Sequence, residues 1–427
     1  MKKPLVKKLP SGLTLMLAPQ PSLTTATVLV LVRNGSDYET RRENGISHFI
    51  EHLTFKGSAH FPTPIVLATE LDSIGADYNA YTAHEYTGYY IKTFPEYLDR
   101  AIEIIADLYA RPLFPAEEVE KERKVILEEI NYYDDSPREL VSDLMSQVLY
   151  GDQPAGRPIL GTKQTLRAMT RTKIANYYRQ HYSARNTLVV VAGNCNAAAT
   201  RRLVTKHFAG LPRHAAPEKR LTRIPAPQFR QLVKVKDVRQ AHLAVGFETG
   251  GLRALNEERF PLGLLASVLG YGFSSRMFRV LRDELSVTYY VNVGTNLCTD
   301  RGSLTIHTGS DVTRVEEVLA VIVRELKRIR QTRVGRAELE KAKAVLEHNL
   351  LMSTETSDSL GWYWGSAFLT ERSLLTPAEV INRVTRLTAA DVQRHARKHF
   401  TAAKANLAII VPKRLKHNPR RAFAALG

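Results

Sequence analysis

The chain has 427 residues, 44% of them hydrophobic and 24% charged, which excludes a largely disordered protein and predicts two or three domains rather than one core. Its net charge of +17 raises nucleic acid as a partner, but the lysines and arginines are spread along the chain without a nucleic-acid motif. Apart from one dense run, "PKRLKHNPRRAF" (412–423), they read as a solvated basic surface, and no nucleic acid is expected.

The opening "MKKPLVKKLPSGLTLMLAPQP" carries lysines without an apolar run long enough for a signal-peptide core. The most apolar stretches, "TVLVLV" (27–32), "TLVVVAG" (187–193) and "LAIIV" (407–411), are strand-length and fall far short of the ~20 residues that span a bilayer. Two distant cysteines, Cys195 and Cys298, make neither a disulfide framework nor a cysteine zinc site and suit a reducing compartment. The expectation is a cytoplasmic protein with no membrane association.

"TTATVLVLVRNGS" predicts a strand and "ENGISHFIEHLTF" a helix. At about 100° per residue, His48 and His52 lie about 40° apart on that helix, and Glu51 falls about 60° to the other side of His48. Two imidazoles on one face begin a zinc site, and the glutamate can take a proton from water activated there. This order, H-x-x-E-H, is a known arrangement in catalytic zinc helices.

Further on, "ADYNAYTAHEYTGYYIKTF" predicts a hairpin of two strands, and "YLDRAIEIIADLYARP" a helix with apolar residues at helical spacing. Next, "EEVEKERKVILEEINYYDD" (117–135) holds eight acidic and three basic residues, an acidic helix inside a basic protein. A catalytic zinc needs a third protein ligand, and Glu122, Glu128 and Glu129 are the candidates. Glu122 and Glu129, seven residues apart, share one face. His60 and His84 read as surface histidines of loop or strand.

The chain also repeats itself. "EEVEKERKVILEEI" (117–130) resembles "AELEKAKAVLEHNL" (337–350), and "YYRQHYSARNTLVVVAG" (177–193) resembles "HARKHFTAAKANLAIIV" (395–411). The offsets nearly agree, so two similar units are expected: residues 1–213, a Pro- and charge-rich linker at 214–228, and residues 229–427. Strands alternating with helices but including hairpins predict α+β, with an antiparallel-rich sheet in each unit. Asn349 stands where Glu129 does in the first copy, and the second copy has no HxxEH.

In order and spacing, "GISHFIEHLTFKG", "GADYNAYTAHEYTGYY", "ERKVILEEI" and "YGDQPAGRPILGT" resemble the M16 metallopeptidases, the pitrilysin and mitochondrial-processing-peptidase group. The resemblance runs from "LPSGLTLML" to "LAIIV". It implies a LuxS/MPP-like metallohydrolase fold and a zinc metalloendopeptidase with one Zn2+ per chain. It also implies His48, His52 and Glu129 as ligands, Glu51 as general base and Glu122 as a supporting acid. The strand carrying Asn79, Ala80, Tyr81 and Thr82 would pair with the backbone of an extended peptide.

Half-length members work as dimers enclosing a chamber, so the resemblance further implies a homodimer or a heterodimer with a zinc-less partner. Arg282 and Tyr289, in "LRDELSVTYYV", match a pair that binds substrate and steadies the oxyanion opposite the zinc. The rival reading is a catalytically silent structural subunit of an M16-type complex.

Overall fold

The computed structural model describes residues 1–371, 373–413 and 418–427, so part of the basic run 412–423 lies outside the described residues. In chain order its strands are β1 (Leu5–Lys8), β2 (Thr14–Pro19), β3 (Ala26–Val32), β4 (Asp77–Thr82), β5 (Thr87–Thr93) and β6 (Thr187–Gly193). They continue with β7 (Arg230–Val235), β8 (Ala241–Thr249), β9 (Thr288–Leu297), β10 (Gly302–Ser310) and β11 (Ala405–Val411). The helices that matter below are α1 (Ile46–Thr54), α2 (Leu98–Ala110), α3 (Ala116–Asp135), α4 (Pro137–Tyr150), α5 (Arg171–His181), α6 (Arg259–Gly270), α7 (Arg336–Met352), α8 (Ser357–Thr370) and α9 (Ala389–His399).

The strands make two sheets of one design. The first has the order β1-β2-β6-β3-β5-β4 and the second β7-β11-β8-β10-β9. In each, one neighbouring pair is parallel (β2 with β6, β7 with β11) and the others are antiparallel. The fold is thus α+β and antiparallel-rich, with the repeat visible as two sheets of matching strand order.

The chain builds two compact units, and neither is a continuous half. Unit one takes Met1–Asn131, Arg157–Arg220 and Leu351–Thr376; unit two takes Tyr132–Gly156, Leu221–Leu350 and Pro377–Gly427. Each half therefore lends a helix, α4 joining unit two and α8 joining unit one. The contiguous division expected from the repeat, 1–213 and 229–427, misses this exchange.

The reason lies in the strands. β3, β6 and β11 are buried at every position, and a run apolar on both sides needs cover on both sides. In unit one, α1, α2 and α5 pack on one face of the sheet. The other face, including Met16, Leu29, Leu31 and Val190, is closed by Leu360 and Trp364 of α8. In unit two, Leu140, Val141, Leu144 and Met145 of α4 play the same part over Ala244, Ala408 and Ile410. Two hydroxyl contacts of 2.8 Å, Ser357 with Thr25 and with Thr27, seat the start of α8. Among the described residues no helix is long and apolar enough to cross a membrane.

Candidate metal centre

The HxxEH helix begins where a distant carboxylate caps it. Glu39 accepts hydrogen bonds from the backbone of Gly45 (2.8 Å) and Ser47 (2.9 Å), two of the N–H groups an α-helix leaves unpaired at its start. Glu39 is buried, and burial pushes its carboxyl up to about 7 against those bonds and the one from Asn44. Gly45 has φ +94°, and a Cβ there would meet the Leu160 carbonyl oxygen at 2.6 Å. Only glycine fits so close to the "ILGT" segment. The first turn of α1 is thus held from two sides before any metal is considered.

α1 is apolar on the face formed by Ile46, Phe49, Ile50 and Leu53, all buried. Its other face carries His48, Glu51 and His52 toward α3. His48 Nε2 lies 3.7 Å and His52 Nε2 3.6 Å from the same Glu129 Oε2. One donor atom from each of the three residues falls within 4.8 Å of the others. Tetrahedral zinc with ligand bonds of about 2.0–2.2 Å has ligand–ligand edges of roughly 3.3–3.6 Å, so the spacing fits that ion.

The electrostatics agree. Burial, with His52 beside it, lowers His48 to about 3, so its imidazole is neutral and its nitrogens are free of added protons at neutral pH. Burial also disfavours charge on His52, but the Glu122 hydrogen bond and the carboxylates of Glu51 and Glu129 outweigh it and raise its pKa. Burial raises Glu129. A half-buried nest of two imidazoles and a carboxylate suits a divalent ion. Two imidazoles and one carboxylate match in kind the donor sets of catalytic zinc sites, which keep a fourth position for water.

Glu122, two turns before Glu129 on α3, touches the cluster from behind. It accepts from His52 Nδ1 at 2.9 Å, which places that ring proton on Nδ1 and turns Nε2 toward Glu129, and it pairs with Lys56 Nζ at 2.9 Å. Burial opposes its charge, but the bonds from His52 and Lys56 win and lower its pKa. Glu128 points away and bonds Asn131 instead.

Glu51 stands beside the three donors. Burial is the main reason its carboxyl rises to about 6, against the hydrogen bond from Thr82 and the nearby His52. Thr82 Oγ1 donates to Glu51 Oε2 at 2.6 Å. Thr82 ends β4, the edge strand of its sheet, and Asn79, Ala80 and Tyr81 precede it there. An edge strand offers unpaired backbone groups, as strand-pairing recognition requires.

Arg282 and Tyr289 lie in unit two, and the structure brings them together. Arg282 occupies an i→i+5 turn, Arg279–Glu284, and its guanidinium donates to the Tyr289 carbonyl oxygen at the start of β9. Both line one surface cavity of about 490 Å³ with Tyr271, Phe273 and Phe278. His60 and His84 stay outside the cluster. Exposed His60 bonds Asp107 at 2.9 Å, and His84, in the β4–β5 turn, bonds Ser36 at 2.8 Å.

Three residues near the centre carried little signal in the sequence. Glu39 reaches α1 from outside the helix. Lys56, one turn past His52, is one lysine among many in a basic chain, and only the fold shows that it pairs with Glu122. Trp362 comes from α8, nearly 300 residues away in the chain. Its ring lies 4.2 Å from that of Tyr81, and it fills the space a side chain at Gly88 would need.

Known proteins resemble this chain along most of its length. The family model described as insulinase (peptidase family M16) matches residues 15–163, and the one described as the peptidase M16 inactive domain matches residues 168–346. The chain is 33% identical over 416 residues to an uncharacterized zinc protease of Rickettsia felis, covering 96% of this chain and 98% of that one. It is 32% identical over 404 residues to the uncharacterized zinc protease YmxG of Bacillus subtilis, covering 94% and 97%. A solved protease from Helicobacter pylori shares the fold, with a TM-score of 0.89 at 22% identity over 96% of this chain and 99% of that one. A peptidase M16 inactive-domain structure from Pseudomonas fluorescens does so with a TM-score of 0.87 at 17% identity, covering 97% and 100%. With both family models matched in order along one chain, this protein belongs to the M16 family of zinc-protease-like proteins.

Proposed function

We propose that the protein is a zinc-dependent endopeptidase that hydrolyses peptide bonds in short or unfolded peptides. The observation that carries this is the convergence of His48, His52 and Glu129 from two helices, with Glu51 beside them and held by Thr82. His48, His52 and Glu129 hold the ion. A bound zinc ion supplies Lewis acidity, acidifying water and polarising a carbonyl oxygen.

The rest is done by side chains of this chain. Glu51 takes the proton of the attacking water on its carboxylate and hands it to the leaving amine nitrogen. A carboxyl raised toward neutrality by burial is the better base for this. Glu122 keeps the His52 ring in one orientation, and Thr82 aims Glu51. The free edge of β4 pairs with an extended peptide backbone, which gives affinity with loose sequence demands and disfavours folded substrates.

In this reading the working form is a dimer enclosing a chamber, in which Arg282 and Tyr289 steady the oxyanion of the partner's substrate. Cys195 and Cys298, which are not joined in disulfides, suit a cytoplasmic setting. A silent structural subunit would not need a complete ligand set with its supporting acid. The test is the mass spectrum of products from a mixed peptide library, with and without a chelator, alongside the zinc content of the protein. Chelator-sensitive cleavage of unstructured peptides supports the reading; a zinc-loaded protein that cleaves none overturns it. Mixing Glu51→Gln and Arg282→Ala chains then tests the shared site, since subunit exchange should restore activity that each lacks alone.

A further inference from the structure

The zinc chemistry leaves the charge of +17 unused, and one part of that charge is gathered. On unit one, a surface concavity of about 510 Å³ is lined by Lys8, Ser11, Gly12, Arg185 and Arg213, with Leu9 and Pro10. Three cations line it and, among the described residues, no carboxylate does. Several other exposed cations of this chain meet acids: Arg100 meets Glu70 and Glu103, Lys121 meets Glu117 and Glu118, and Arg314 meets Glu317. Like charges grouped without a counter-charge repel and raise the local potential, so the arrangement favours an anion.

The concavity is also built rather than incidental. Lys8 ends β1, and a tight turn carries the chain into β2: the backbone of Gly12 donates to Leu9 O (2.9 Å) and that of Leu9 to Leu13 O (2.8 Å). Gly12 sits at φ +93°, and a Cβ on it would meet Arg185 Cγ at 2.8 Å. The arginine stem therefore lies against the turn, in space that only glycine leaves open. Arg213 is held from both sides. Pro212 O accepts the Ala184 N–H at 2.8 Å, and the His214 ring bonds Gln180 O at 3.1 Å. These ties keep Arg213 next to Arg185 through a stretch that forms no helix or strand.

We propose that Lys8, Arg185 and Arg213 form a binding site for an oligophosphate group, separate from the zinc centre. Guanidinium forks match phosphate oxygens in pairs, and Lys8 adds a point charge. A single carboxylate would leave two of the three charges unmatched, whereas a di- or triphosphate answers all three. The volume is that of a small-molecule pocket. The phosphate group is the shared chemistry, whether it comes on an inorganic chain or on a nucleotide.

Calorimetric titration of the zinc-loaded full chain with inorganic tripolyphosphate, and separately with ATP, at about 0.15 M salt tests this. One saturable site is expected, weakened roughly tenfold or more in Arg185→Gln/Arg213→Gln. Zinc can itself take up phosphate, but it does so equally in both proteins, so the difference reads the pocket. Equal affinities for the two probes mean that phosphate alone is recognised; tighter ATP means that the nucleoside adds contacts. Arg201→Gln/Arg202→Gln removes the same charge from exposed residues that do not line the concavity and should bind as the wild type does. Lys8→Gln, a milder change, should lose affinity in the same direction if the double variant folds poorly. No saturable binding, undiminished binding in Arg185→Gln/Arg213→Gln, or equal loss in the control variant overturns the site.

Discussion

The two units share a strand order but differ in one helix pair. In unit one, α1 turns His48, Glu51 and His52 toward Glu122 and Glu129 of α3. In unit two, the first long helix after the matching strand is α6, "RFPLGLLASVLG", buried at almost every position and bearing no acid or histidine. The acidic helix survives there as α7, with Ala342 and Asn349 where unit one has Glu122 and Glu129. The structural part of the motif is nevertheless retained. Arg123 pairs with Glu120 and donates to the carbonyls of Leu166 and Met169, and Lys343 pairs with Glu340 and donates to that of Thr385. One scaffold therefore serves twice, and a few side chains on two helices decide whether it can hold a cation.

The largest effect should come from rewriting unit one as unit two. Glu129→Asn supplies the residue of the other copy and removes the carboxylate of the His48/His52/Glu129 cluster. Zinc measured by mass spectrometry should fall from about one per chain to a small fraction, and peptide hydrolysis with it. Retention of stoichiometric zinc would mean that the ligand set is wrong. Glu51→Gln sharpens the comparison differently. An amide keeps the shape and the Thr82 contact but accepts no proton, so zinc should stay while kcat drops on the order of 10²–10⁴-fold.

A smaller loss is expected from Glu122→Gln. With a weaker partner for His52 Nδ1, zinc affinity measured by competition with a chelator should fall about 10- to 100-fold, with the ligands intact. The same change at Glu338, which pairs with Arg276 in unit two, should leave zinc affinity unchanged.

The smallest effect concerns what the units have in common. His181 and His399 occupy matching positions of the repeat, both buried, and burial lowers each to about 4. The fold thus favours their neutral form. That contribution is complete above the unfolded value near 6.5 and is lost as pH falls through about 4. Wild type should lose ~1–3 kcal/mol per histidine over that window, read from urea unfolding at a series of pH values. His181→Phe and His399→Phe should each flatten the slope by a similar amount. A slope carried by one histidine alone would break the symmetry.

The local pattern along the chain determined much of this. Spacing alone put His48, Glu51 and His52 on one helical face and Glu122 with Glu129 on another, because a helix fixes which residues share a side. Alternation with hairpins indicated the antiparallel-rich α+β class, and the 218–220-residue offsets exposed the duplication. Periodicity, however, says nothing about which distant element a face will meet. Only tertiary packing brought α3 against α1, set Glu39 on the backbone of Gly45 and Ser47, and held Glu51 with Thr82. It also decided the helix exchange: a sheet apolar on both faces takes whatever amphipathic helix covers it best, and here that helix comes from the other half of the chain. The same holds for Lys8, Arg185 and Arg213, three ordinary basic residues in the sequence that gather only because a turn, a short helical segment and an irregular stretch fold onto one another.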